Sequence, residues 1–188
     1  MSTARRDARA IAGLAAAVVV LAALSTVGLA AAAGVFRSDR TAPNGACDAP
    51  ALAGAVVDVR LMNMGGPMMR GGSTMGGTMR VVADRQTVAA GTVSLRVAKV
   101  GSLVYELVVL PLDTGAGVGA RAVGANGRVE ETGSVGEASR SCGSGSGDGI
   151  APGALGWVTL QLPAGDYELV CNLAGHYAAG MYTALHVG

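Results

Sequence analysis

The amino-acid sequence predicts an all-β sandwich preceded by one apolar, membrane-spanning helix. After residue 55, short runs rich in Val, Leu and Thr recur between turn signals such as Ala90-Gly91 and Gly101-Ser102, a pattern typical of short strands. No amphipathic helical stretch of useful length follows the apolar amino-terminal region. A chain of about seven short strands buries its apolar faces most economically as two packed sheets.

The amino-terminal region contains a long apolar run. No charged residue occurs between Ala10 and Phe36, and this run exceeds the roughly 20 residues that cross a hydrocarbon core as a helix. The arginines within residues 1–9 outnumber those just after the run, which favours a single-pass anchor with a cytoplasmic amino terminus. The alternative is a signal peptide cleaved near Ala30-Ala-Ala32, although its apolar region usually spans only about 7–15 residues. Both predictions export the domain that follows.

The rest of the chain divides into a linker and one packed domain. Residues 37–54 are rich in Pro, Ala, Asp and Asn without periodicity, so we predict a linker there. The domain spans residues 55–188 and contains a Met/Gly-rich loop at 62–79. A Gly/Ser-rich insertion at 113–152 is expected to be a surface excursion, because its Gly-Ser tract can bury little. The predicted strands are 55–62, 79–83, 92–100, 103–110, 157–162, 167–171 and 181–187.

Charge and composition exclude several classes of function. Residues 41–188 carry nine Lys and Arg against eleven Asp and Glu, and aromatic residues make up 3% of the chain. Neither the basic patch nor the stacking platform of a nucleic-acid-binding protein is therefore expected. The Gly-rich segments lack the Gly-Lys-Ser/Thr of a phosphate-binding loop, and two histidines are too few for a trinuclear copper cluster. We expect no enzymatic activity.

The three cysteines fit an oxidising compartment. Cys47 and Cys142 each lie in a polar, Gly-rich setting, where a disulfide bond between them would fix a loose segment. The alternative is a pair of unrelated thiols, which exported proteins seldom keep exposed. Cys171 is not considered for this bond, because it lies in a segment that also contains a histidine and a methionine.

The segment from Cys171 to Met181 places three candidate metal ligands in one short loop. A thiol at Cys171, an imidazole at His176 and a thioether at Met181 follow one another at equal spacing. Blue-copper sites use a Cys, two His and a weak axial Met, so this loop contains that set with one histidine missing. The other histidine of the chain, His186, reads as a partly exposed residue of the last strand. A second interpretation is plain core packing, since buried Cys and Met behave as adaptable apolar residues.

The loop resembles the ligand loop of the cupredoxins, and it is most similar to that of sulfocyanin and its relatives. The resemblance rests on residues 167–181 and covers roughly residues 55–188. It implies a cupredoxin-like Greek-key β-sandwich that binds copper and transfers one electron. The family's remaining histidine stands at the head of a strand as His-Glu before an apolar stretch. In this chain Tyr105-Glu106 precedes Leu107, so Tyr105 stands where the family has its histidine.

The tyrosine changes the expected chemistry of the site. A phenol has a pKa near 10 in water and is a hard oxygen ligand, so it binds a metal only when a strong charge displaces its proton. The remaining Cys and Met ligands are soft and prefer Cu(I). Three outcomes follow: a modified copper centre with Tyr105 as ligand or gate, a Cu(I) site of Cys171, His176 and Met181, or a cupredoxin shell without metal.

The Met/Gly-rich loop is a second candidate for copper binding. Clustered thioethers on glycine-rich backbone suit Cu(I), so these side chains are possible auxiliary Cu(I) ligands. The other interpretation is that they cover the apolar end of the sandwich, because Met fills irregular gaps. The methionines concerned are Met62, Met64, Met68, Met69, Met75 and Met79.

Together these observations predict an exported, membrane-anchored, copper-binding protein that transfers one electron. The alternatives are a Cu(I) binding or delivery protein that uses the Met-rich loop without redox cycling, and a metal-free domain. The expected partners are the membrane, through the helix at 10–36, and a redox or copper-donor protein. Nucleic acid is not expected.

Overall fold

The computed structural model describes residues 47–64 and 78–188, which belong to one compact unit, Thr41–Gly188. The apolar run at 10–36 and loop residues 65–77 lie outside the described residues. Within the described ranges, no helix is long and apolar enough to cross a membrane. Two β-sheets of five strands each make up the regular structure of this part of the chain.

Ten strands are described, and in each sheet some strands that lie side by side are not consecutive in the chain. The first sheet has the order β2-β1-β4-β8-β7, and the second has the order β3-β10-β9-β5-β6. Most neighbours are antiparallel, but the pairs β1–β4, β3–β10 and β7–β8 are parallel. The strands are β1 Ala55–Met64, β2 Thr78–Ala83, β3 Thr87–Val88, β4 Gly91–Val100, β5 Leu107–Pro111, β6 Gly136–Ala138, β7 Gly143–Ser144, β8 Leu155–Leu162, β9 Gly165–Val170 and β10 Tyr182–Val187.

The core lies between the two sheets and is built by strand alternation. Every second side chain of β4, namely Val93, Leu95 and Val97, is fully buried, as the period of a half-buried strand requires. These side chains belong to one apolar cluster with residues of the second sheet, including Val109 and Leu169. Burying a Val or Leu side chain contributes about 1.5–3 kcal/mol, so this cluster holds the sheets together.

The strand that follows Tyr105 begins later than the sequence predicts. We expected a strand at 103–110, whereas β5 spans Leu107–Pro111 and the Leu103 and Val104 side chains are exposed. Tyr105 instead forms an isolated bridge with Ile150, with Tyr105 N–H donating to the Ile150 carbonyl at 3.2 Å. The apolar run is therefore divided between a surface segment and a buried strand.

The insertion at 113–152 is not a simple surface excursion, and that prediction is wrong. It contains β6 and β7, and the side chains of Val129, Ala138 and Ile150 are buried. Strand β6 extends the second sheet by pairing with β5, which gives the insertion a backbone partner that composition alone does not reveal.

A disulfide bond joins Cys47 to Cys142. It fixes the insertion to the last part of the predicted linker, which also contacts β4 through the Ser94 hydroxyl and the Ala53 carbonyl at 2.6 Å. Residues 47–54 therefore run along the first sheet, so this described part of the predicted linker is attached to the domain. Cys171 is buried and carries a free thiol.

Candidate metal centre

The ends of two neighbouring strands bring Cys171 and Met181 together. Cys171 directly follows β9 and Met181 directly precedes β10, and these strands pair antiparallel with Tyr182 opposite Val170. The Cys171 N–H donates to the Met181 carbonyl at 2.9 Å. Both side chains are fully buried. The loop between them must therefore turn back on itself at one end of the sandwich.

Turns within this loop place His176 against the cysteine. His176 N–H donates to the Leu173 carbonyl at 2.9 Å, and Met181 N–H donates to the His176 carbonyl at 3.1 Å. The imidazole Nδ1 lies 3.4 Å from the Cys171 Sγ, and the His176 side chain is partly exposed. The structure thus brings two of the three predicted loop ligands into direct side-chain contact, and the backbone of the third, Met181, bonds to both of them.

Burial governs the protonation of both groups. Burial raises the pKa of the Cys171 thiol to about 11, although N–H groups of Glu106 and Leu173 oppose this by hydrogen bonding to the sulfur. Burial also lowers the pKa of His176, and the Arg128 charge adds to that effect. The imidazole is therefore neutral at neutral pH, which a metal ligand requires, while the thiol must lose its proton on metal binding.

Tyr105, which by resemblance stands where the family has its histidine, lies beside His176. The two ring centroids are 5.2 Å apart in an edge-to-face arrangement, and the tyrosine is fully buried. Within residues 47–64 and 78–188 its hydroxyl has no hydrogen-bond partner. Burial raises the phenol pKa, and the neighbouring Cys171 contributes in the same direction. A buried hydroxyl without a partner costs about 1–3 kcal/mol, which is a sign of an incomplete site.

Lys99 is the second unusual polar group near Tyr105. Its Nζ lies 4.5 Å from the centroid of the Tyr105 ring and, within the described part of the chain, forms no hydrogen bond. Burial lowers the pKa of this amine. The ring therefore contacts a lysine as well as the histidine, and the cation–π contact partly offsets the lost hydration of the amine.

Three residues that were not predicted to belong to the site lie next to the candidate ligands. Glu106 N–H donates to the Cys171 Sγ at 3.5 Å. Arg128 donates to the Asn172 carbonyl at 2.9 Å, and its guanidinium forms an ion pair with Glu106 at 3.6 Å. Glu106 and Asn172 directly follow Tyr105 and Cys171 in the sequence, which is a usable signal. Arg128 lies in the insertion and has no such signal.

A buried charge network holds the loop residue next to His176. The Tyr177 hydroxyl donates to Glu168 Oε1 at 2.9 Å and accepts from Arg121 N–H at 3.1 Å. Glu168 is fully buried, and Arg121 Nε lies 2.6 Å from its other oxygen. Gly119 N–H also donates to this carboxylate at 2.7 Å. The network fixes the loop to β9 and to the insertion.

His186 is not part of this centre. It lies at the other end of β10 from Met181, is exposed, and its Nδ1 contacts Asp166 at 2.7 Å. Among the described residues, no group of three or more His, Cys, Asp and Glu side chains could hold a metal ion. The candidate centre contains only one Cys and one His, and its third candidate ligand is a thioether.

The predicted auxiliary methionines are only partly described. Met62 and Met64 lie in β1 and Met79 lies in β2, whereas the other three lie outside the described residues. A Cβ placed at Gly180 would lie 3.6 Å from the Met79 carbonyl oxygen. The start of β2 therefore adjoins the residue that precedes Met181.

The family model of the Sulfocyanin (SoxE) domain matches residues 69–188. The chain belongs to the sulfocyanin domain family. This confirms the resemblance, and the family suggests copper-binding electron transfer. A search among curated proteins finds no match.

Solved structures of three other proteins are similar to this sulfocyanin domain chain. Rusticyanin from Thiobacillus ferrooxidans is 19% identical, with 72% of this chain and 79% of that chain covered and a TM-score of 0.44. Auracyanin A from Chloroflexus aurantiacus, described as a "blue" copper protein, is 18% identical, with 71% and 98% covered and a TM-score of 0.40. Auracyanin from Roseiflexus castenholzii is 20% identical, with 56% and 86% covered and a TM-score of 0.40.

The donor set fits copper in a sulfocyanin domain. A thiol, an imidazole and a thioether from one loop are the soft and intermediate donors that copper selects. The contact between Cys171 Sγ and His176 Nδ1 lies at the same end of the sandwich as the Tyr105 hydroxyl, which has no hydrogen-bond partner among the described residues.

Proposed function

We propose that this sulfocyanin domain is a one-electron carrier that binds copper through Cys171, His176 and Met181. The observation that carries the proposal is the contact of 3.4 Å between Cys171 Sγ and His176 Nδ1 in a loop that closes on a buried methionine. Copper, when bound, supplies the one-electron couple that the protein side chains lack.

Each residue has a distinct role in this proposal. Cys171 provides the thiolate, and the Glu106 N–H at 3.5 Å stabilises its negative charge. His176 provides a neutral nitrogen and, being partly exposed, forms the contact with solvent and with an electron-transfer partner. Met181 provides a weak thioether ligand. The buried shell around the sulfur excludes water, which controls both the dielectric and the potential.

Tyr105 takes the place of the second histidine in this proposal. Its buried ring packs against the His176 ring. Losing one nitrogen ligand leaves a softer donor set, which favours Cu(I) over Cu(II). We therefore expect a carrier whose reduced state is favoured more than in a site with two histidines.

The test is metal binding by residues 41–188, which contain the compact unit. Cu(II) and then Cu(I) are added, and visible absorption and stoichiometry are recorded, with Cys171→Ser as the matched control. An intense thiolate-to-copper band that the control lacks supports electron transfer. Absence of binding in both oxidation states would contradict the copper proposal.

We also propose that the domain is exported and held at the cell membrane by a single helix at residues 10–36. The uncharged run from Ala10 to Phe36 and the disulfide between Cys47 and Cys142 support this location, because disulfides persist in oxidising compartments. Cell fractionation of the full chain distinguishes the two fates. Recovery in the membrane fraction supports the anchor, and recovery of a shortened soluble chain supports signal cleavage.

A second candidate is Cu(I) binding or delivery by the methionines of residues 62–79. It is favoured by the position of Met79, whose carbonyl adjoins Gly180. Replacing all six methionines by leucine removes the thioethers and keeps apolar volume. If the loop is a second site, this variant binds fewer Cu(I) ions per chain than the parent. If only the loop from Cys171 to Met181 binds, the stoichiometry is unchanged.

A further inference from the structure

Arg128 contacts both backbone segments that surround the candidate ligands. It lies in the insertion, in a turn closed by hydrogen bonds from Gly124 N–H to the Arg128 carbonyl at 2.8 Å and from Gly127 N–H to the Gly124 carbonyl at 2.9 Å. Its guanidinium donates to the carbonyl of Asn172, the residue after Cys171, at 2.9 Å. The same group lies 3.6 Å from the carboxylate of Glu106.

The backbone on both sides of Arg128 is fixed to the ligand loop. The Asn172 side chain, 1% exposed, accepts from Val129 N–H at 2.8 Å and donates to the Val129 carbonyl at 2.9 Å. Gly175 N–H donates to the Gly127 carbonyl at 2.8 Å. These bonds connect the residues before and after Arg128 to the loop, so the backbone at Arg128 is attached to the segment that carries Cys171 and His176.

The positive charge of Arg128 lowers the pKa of His176 and opposes the rise in pKa that burial causes at the Cys171 thiol. A guanidinium stays protonated at any physiological pH, so its positive charge is permanent. Its other close neighbour is the Glu106 carboxylate, whose side chain is 11% exposed while that of Arg128 is 41% exposed. The arginine thus presents a partly solvated charge to the centre, and its influence is smaller than that of a fully buried one.

We propose that Arg128 is a positioning residue that sets the balance between the two oxidation states of copper. A fixed positive charge beside the ligands disfavours the more highly charged ion, so it raises the affinity for Cu(I) relative to Cu(II). The inference rests on the proposed copper function. It assigns part of the redox tuning to the insertion, which supplies no candidate metal ligand.

The experiment compares charge variants at this position in the chain that binds copper. Dissociation constants for Cu(I) and Cu(II) are measured by competition with chelators for the parent, Arg128→Gln, Arg128→Met and Arg128→Lys. Arg96→Gln is the matched control, because Arg96 also pairs with a carboxylate, Asp58, at 2.6 Å but lies on an exposed face of the first sheet. Thermal unfolding of each metal-free variant is recorded in parallel.

The expected result is a fall in the ratio of Cu(I) to Cu(II) affinity in both neutral variants. The fall should be about two- to fivefold, the range for a partly exposed charge, with Arg128→Lys close to the parent and Arg96→Gln unchanged. Arg128→Met keeps the apolar stem, so it preserves the test if the glutamine variant folds poorly.

Two results would overturn the inference while leaving the copper proposal intact. In one, the neutral variants bind copper with the parent's ratio. In the other, Cu(I) and Cu(II) affinity fall equally while the metal-free unfolding temperature drops, which shows a structural role only. If the parent binds neither oxidation state, the proposed function itself fails, and the inference fails with it.

Discussion

By resemblance, Tyr105 stands where the sulfocyanin family has its second histidine. It is fully buried, its ring lies 5.2 Å from that of His176, and its hydroxyl has no partner in the described part of the chain. If Tyr105 only filled the core, the protein would be more stable without that hydroxyl. The hydroxyl therefore either lowers the stability of the protein or forms its hydrogen bond or ligand bond with a bound group.

Replacing Tyr105 by histidine should complete the set of ligands. We expect Tyr105→His to strengthen the thiolate-to-copper absorption band and to raise Cu(II) affinity, because a second imidazole suits Cu(II). Visible titration with Cu(II) measures both. Tyr105→Phe is the control, because it keeps the ring and adds no ligand. A histidine variant whose absorption band is no stronger than that of the phenylalanine variant would show that residue 105 is not at the ligand position.

Two tyrosines of the site should respond in opposite ways to loss of the hydroxyl. In metal-free protein, Tyr105→Phe should leave stability unchanged or increase it, because the deleted group is unpaired. Tyr177→Phe should lower the free energy of unfolding by about 1–3 kcal/mol, because its hydroxyl bonds Glu168 and Arg121. Urea unfolding checks both. Equal destabilisation by the two changes would contradict the description of Tyr105.

At the scale of elements, the ligand loop depends on the insertion that covers it. Asn172→Ala removes the bonds that join this loop to Val129 and leaves buried backbone groups unpaired. We expect a loss of about 2 kcal/mol or more in the free energy of unfolding and faster hydrogen exchange at Gly175 N–H. Asn126→Ala, at an exposed position that bonds only within its own turn, is the control. Unchanged exchange at Gly175 would argue against docking of the two segments.

The strands and the ligand loop differ in how far the sequence could predict them. Strands β4, β8, β9 and β10 carry local signals, namely alternation and turn residues, and the structure contains strands at each of those places. The candidate ligands could be chosen from the sequence because Cys171, His176 and Met181 lie in one continuous segment. Their role as metal ligands stays a prediction, which metal binding tests. Pairing between distant segments forms strands β6 and β7 and the contacts of Arg128. No local sequence pattern encodes such pairing.

For the whole molecule, the disulfide between Cys47 and Cys142 should be a major source of stability. The two cysteines are separated by 95 residues, and closing a loop of that length restricts the unfolded chain by about 4.7 kcal/mol in the entropy model. We expect a Cys47→Ser, Cys142→Ser double variant to unfold at clearly lower urea concentration than the parent. Reduction of the parent should reproduce the loss, and reduction of the variant should have no effect.

X-ray absorption at the copper edge tests the proposed centre most directly. For the copper-loaded parent we predict one copper per chain with one thiolate sulfur and one imidazole nitrogen as its strong ligands, and loss of that sulfur signal in Cys171→Ser. A copper bound only by thioether sulfurs, with a spectrum that Cys171→Ser leaves unchanged, would place the metal away from the loop and contradict this centre.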